Sequence, residues 1–128
     1  MKEEVVYLIG RKNTDFVKIG ITGNLDSRFQ TIKEKYKDIE LLAYYICPDR
    51  KYSANLEKKL HNLLEHKRIQ FEWFILKTDE ILLVHDCIIN FHKLNCWHKC
   101  IDLREREQNY NNSYKVFIPN RDNKPYFF

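Results

Sequence analysis

Residues 5–28, VVYLIGRKNTDFVKIGITGNLDSR, read as two short apolar strands, a polar turn between them and the first turn of a helix. Residues 4–9 are β-branched and aromatic, and Gly10 closes them, which is strand composition. Over residues 15–22 the alternation is clean, with Val17, Ile19 and Ile21 on one face and Phe16, Lys18, Gly20 and Thr22 on the other. The first face is the expected core side, and the second presents a lysine beside bare glycine backbone. Arg11-Lys12-Asn13-Thr14 is turn-like, so the strands form an antiparallel hairpin. A turn centred on Lys12-Asn13 sets Tyr7 opposite Lys18.

Beyond the hairpin, Thr22-Gly23-Asn24 breaks the strand, and Asn24 or Asp26 caps a helix. Leu25, Phe29, Ile32 and Tyr36 recur on it as a packing stripe, while Arg28, Lys33, Lys35 and Lys37 lie off that stripe. Residues 39–46 read as a third strand, central in the sheet or covered on both faces. A second helix runs from about Tyr52 to Glu65 with Leu56, Leu60, Leu63 and Leu64 buried, and Glu57 and His61 share its flank. QFEWF at 70–74 is a short aromatic segment, and Asp79 caps a third helix reaching about Leu94. The remainder is polar and aromatic, with a small strand over 114–118.

A chain of 128 residues, 44% hydrophobic and 31% charged, fits one globular domain with its own core. The expected class is α+β: a three-stranded antiparallel sheet flanked by helices over 1–95, with 96–128 an extension and not a separate domain. No membrane span or secretory signal is read, so the expected location is intracellular. Four cysteines fit reduced thiols better than a disulfide framework. The net charge of +4 suits a polyanionic partner without requiring one.

The order Val5-Val6-Tyr7, Lys18-Ile19-Gly20, Arg28 and a helical Glu57 resembles the GIY-YIG endonuclease domain. The first tripeptide stands where that family has GIY and the second where it has YIG. VKIGIT, followed by L-x-x-L-H and EWF, looks most like the phage and fungal branch typified by a T5 phage open reading frame. The likeness covers about residues 5–74. It implies a DNA endonuclease using one divalent cation, Mg²⁺ or Mn²⁺, and leaving a 5′ phosphate and a 3′ hydroxyl. By motif position Tyr7 activates or positions water, Arg28 steadies the phosphate, Glu57 holds the metal and Gly20 is the glycine at the site. Two positions depart from the pattern: the YIG tyrosine is Lys18, and the asparagine of many members has only Gln70 and Glu72 nearby.

The residue types suit that chemistry on their own account. A lone carboxylate with waters fits magnesium or manganese, an arginine fork matches phosphate oxygens, and a lysine adds a point charge. Lys18 in place of the tyrosine is either a lost catalytic contact or, the favoured expectation, a cation that grips phosphate and lowers the pKa of Tyr7. Arg11, Lys12, Lys33, Lys35 and His61 are the expected contacts to a DNA backbone, double-stranded or branched. A nucleic-acid-binding module with weakened catalysis on the same fold is the alternative, and the extension offers a surface for a homodimer. His85, Cys87, His92, Cys96, His98 and Cys100 supply enough ligands for zinc but no C-x-x-C pair, so they read better as buried thiols and helix-surface histidines.

Overall fold

The computed structural model describes residues 4–97 and the backbone of 114–116. The strands are β1 Glu4–Arg11, β2 Phe16–Thr22, β3 Ile39–Cys47, β4 Arg68–Gln70, β5 Trp73–Ile75 and β6 Tyr114–Val116. They form one antiparallel sheet in the order β4-β5-β2-β1-β3-β6. The helices are α1 Leu25–Lys35, α2 Arg50–Leu63 and α3 Thr78–Leu94. The class is α+β as expected, and the expected three strands are its centre. The sheet is larger than expected because a short hairpin extends it beside β2 and β6 extends it beside β3. Residues 98–113 and 117–128 lie outside the described residues, and with them His98, Cys100 and the expected dimer surface.

Strand alternation builds two cores, one on each side of the sheet. Val6, Leu8, Val17 and Ile19 pack with Leu56 and Leu60 of α2 and with Ile81, Val84 and Ile88 of α3. Tyr7, Ile9 and Phe16 face the other way, onto Ile32 and Trp73, with Leu25, Phe29 and Tyr36 packed around them. No helix among the described residues is long and apolar enough to cross a membrane.

The hairpin register differs from the expected one: Tyr7 pairs with Gly20, and Lys18 pairs with Ile9. The turn is longer than two residues, with Thr14 N donating to Arg11 O at 3.2 Å and Asn13 at φ 64°. A shift of two positions keeps every side chain on its expected face, so the site survives the error.

Helix starts follow their caps. Asn24 Oδ1 accepts from Ser27 N at 3.0 Å, and Asp49 Oδ1 accepts from Tyr52 N at 2.8 Å. In α3 the cap position is Lys77, whose N–H donates to Glu80 Oε1 at 2.9 Å, so Asp79 lies inside the first turn. Leu63 is 56% exposed, off the buried stripe, at the last turn of α2. The histidines expected on the surface of α3 are buried: His85 and His92 are each 1% exposed. Tyrosines far away in sequence receive them, with Tyr45 Oη 2.8 Å from His85 Nδ1 and Tyr52 Oη 2.7 Å from His92 Nδ1.

Candidate active site

The motif residues converge at one end of β2. Tyr7 is fully buried, and its ring lies against the bare backbone of Gly20. A Cβ at position 20 would overlap the Tyr7 hydroxyl, lie 2.6 Å from Tyr7 Cζ and come within 3.1 Å of Glu72 Oε1. Glycine is therefore required by close approach.

The Tyr7 hydroxyl is buried without a hydrogen-bond partner of good geometry. Burial first, and then the charge of Glu72, push its pKa up to about 12; Arg28 pulls it down and Glu57 adds to the rise. Arg28 itself is exposed in the first turn of α1. The expectation that Lys18 lowers the pKa of Tyr7 is overturned. Lys18 Nζ instead makes a 3.0 Å ion pair with Glu72 Oε1 and sits 5.7 Å from the centre of the Trp73 ring.

Glu57 completes the site from the flank of α2. Its Oε2 is buried without a hydrogen-bond partner. Burial, and next the like charge of Glu72, raise its carboxyl to about 7 against the pull of Lys18 and Arg50. His61, one turn on, has Nε2 2.9 Å from Ile19 O and 4.0 Å from Glu57 Oε2. The carbonyl requires that nitrogen to carry its proton, so His61 fastens α2 to β2. On the other side Ile19 N donates to Glu72 O at 3.1 Å, past the last paired residue of β5.

A cleft of about 650 Å³ opens beside Glu57, lined by Lys18, Lys35, Glu57, His61, Phe71 and Glu72 among others but not by Tyr7, Gly20 or Arg28. The expected basic surface is only partly here. Arg11 is spent on Asp38, Nε to Oδ1 3.0 Å, and lies over the Tyr36 ring. Lys12 and Lys33 are exposed and outside the cleft lining. Arg68, which the sequence did not single out, also lines the cleft, and no spacing announces it. Glu72 was legible only as the acid of EWF; its place beside Glu57 comes from the turn between β4 and β5.

That turn is strained. Phe71 has φ 50°, where a non-glycine residue costs about 1–2 kcal/mol. The donor set suits a hard divalent cation, which one or two carboxylates hold while waters and phosphate oxygens fill the shell. No group of three or more His, Cys, Asp or Glu among the described residues could hold a metal, so the arrangement is no closed protein cage.

A small antiparallel sheet that gathers a buried tyrosine, a glycine cradle, an arginine and a helical glutamate at one end defines a nuclease-like domain. Residues 4–89 match the model of the T5orf172 domain, and the chain belongs to that GIY-YIG-like family. No curated protein and no solved structure gives a significant match.

Proposed function

We propose that the protein is a divalent-cation-dependent endonuclease that hydrolyses DNA phosphodiester bonds, with Mg²⁺ or Mn²⁺ held by Glu57 beside Glu72. The observation that carries this reading is the fully buried Tyr7 hydroxyl, without a hydrogen bond of good geometry, set on Gly20 beside Arg28 and a carboxyl pair. A native fold leaves few such groups, and here two of them, Tyr7 Oη and Glu57 Oε2, belong to the motif residues and act on one another electrostatically.

When bound, the cation neutralises charge on the phosphate and makes a water more acidic. Tyr7, with a pKa near 12, stays protonated at neutral pH. In the cation-free protein its hydroxyl is thus a hydrogen-bonding group toward water or a phosphate oxygen. Arg28 offers its planar fork to the phosphate from the first turn of α1. Lys18 supplies a point charge once phosphate competes with Glu72 for its ammonium.

Incubating supercoiled plasmid with Mg²⁺ or Mn²⁺ tests the reading. Nicking by the wild type, lost in Glu57→Gln and in Arg28→Ala, is the expected result; cleavage that persists in both variants removes these assignments. One observation favours the binding-module alternative: Lys18, standing at the tyrosine of YIG, is tied to Glu72. Cation-dependent retention of DNA without nicking would select that alternative.

A further inference from the structure

Phe71 is the most exposed large apolar side chain among the described residues, at 76%, and it stands on the rim of the cleft. It is held there. Its φ of 50° lies where a two-residue turn ordinarily places glycine or asparagine. The Arg68 guanidinium donates to the Phe71 carbonyl, Gln70 pairs with Trp73 across the turn, and Glu72 O is bonded to Ile19 N. The backbone is thus fixed on both sides of a ring that faces solvent. Packing gives no reason for a bulky residue in that conformation, whereas contact with a ligand does.

The adjoining cleft indicates what the ring meets. Lys18 and Lys35 line it together with Glu57 and Glu72, which suits a phosphate path and its cation. A space of about 650 Å³ is of small-molecule size, and a base stacked inside a smooth duplex cannot enter it. An unpaired nucleotide can, and it offers a flat face to an aromatic ring.

We propose that Phe71 stacks on an unpaired nucleobase beside the scissile phosphate, so that the preferred substrate carries a bulged, single-stranded or branched position. The inference rests on the nucleic-acid reading above and adds the structure of the substrate to it.

The test measures binding with Ca²⁺ in place of Mg²⁺, using a duplex with one unpaired 2-aminopurine and a fully paired control. The wild type should bind the bulged duplex about five- to a hundredfold more tightly and change the 2-aminopurine fluorescence. Phe71→Ala and Phe71→Gly should lose both effects, and Phe71→Trp should keep them. Phe71→Gly should melt no lower than the wild type; a lower melting temperature with the preference intact would make the ring a packing residue and overturn the proposal. Equal binding of both duplexes, unchanged in Phe71→Ala, overturns the stacking while leaving the Glu57 assignment to the plasmid assay. Binding of neither duplex removes both readings. A change in oligomeric state alone in Phe71→Ala assigns the ring to a protein interface and overturns the proposal.

Discussion

Tyr7 and Tyr45 stand on adjacent strands, are both wholly buried, and face opposite sides of the sheet. The Tyr45 hydroxyl meets an imidazole of α3 at 2.8 Å, and Tyr52 meets the next histidine along the same helix. The Tyr7 hydroxyl rests on Gly20, among two carboxyls and the Arg28 side chain, with no hydrogen bond of good geometry. Residue type and burial are the same, so the difference lies in what each hydroxyl is for. The two tyrosine hydroxyls that face α3 are matched by imidazoles within the protein, whereas that of Tyr7 is set among the ionisable side chains of the motif.

The largest expected effect is that of Glu57→Gln, which should reduce nicking by more than the roughly 10–100-fold typical of losing a residue outside the metal shell. The same change should alter the pH dependence of stability. The folded carboxyl titrates at about 7 against 4.5 unperturbed, so its contribution is fully present below pH 4.5 and is lost as pH rises through 7. Removing that group should stabilise the fold at pH 8 by up to about 3 kcal/mol and have little effect at pH 4.5. Urea titrations at both pH values check this.

His92 should behave in the opposite sense. Burial lowers its pKa to about 4 from 6.5, so its contribution is present above pH 6.5 and lost as pH falls towards 4, by up to about 3 kcal/mol. The two slopes oppose each other over nearly the same range. Glu57→Gln should therefore expose a stability that climbs from pH 4 to 6.5, and a flat profile in that variant would contradict the burial argument for His92.

Smaller effects separate the tyrosines. Tyr45→Phe takes the hydrogen-bond partner from a buried histidine nitrogen and should cost about 1–3 kcal/mol. Tyr7→Phe should leave the urea midpoint unchanged or raise it slightly while nicking falls. Loss of stability in both variants, with nicking intact, would erase the contrast. The smallest expected effect is that of Phe71→Gly, which relieves a left-handed cost of about 1–2 kcal/mol and adds about 0.5–1 kcal/mol of unfolded-chain freedom. A net gain of about 0.5 kcal/mol follows, read as a small rise in melting temperature.

Local patterning made most of the framework legible. The alternation through Val17, Ile19 and Ile21, the stripe of α1 and the Asn24 cap each carry their own short-range signal, and motif order picked out Tyr7, Gly20, Arg28 and Glu57. What escaped depends on contacts distant in sequence. β4 and β5 are three residues each, too short for a period, and the left-handed residue joining them is a phenylalanine. The burial of His85 and His92 needs tyrosines forty positions away. Lys18 could not be assigned to Glu72 because the β4-β5 turn that delivers the acid was itself unread.

Ile19 has a role that its apolar side chain does not suggest. Its N–H is bonded to the turn that carries Glu72, and its C=O to the helix that carries Glu57. The spacing of the two carboxyls is thus referred to one residue of the sheet, through the α2 helix on one side and the β4-β5 turn on the other. A change of length in the α1-β3 or β3-α2 connection leaves both bonds in place, whereas one in the β4-β5 turn moves Glu72 itself.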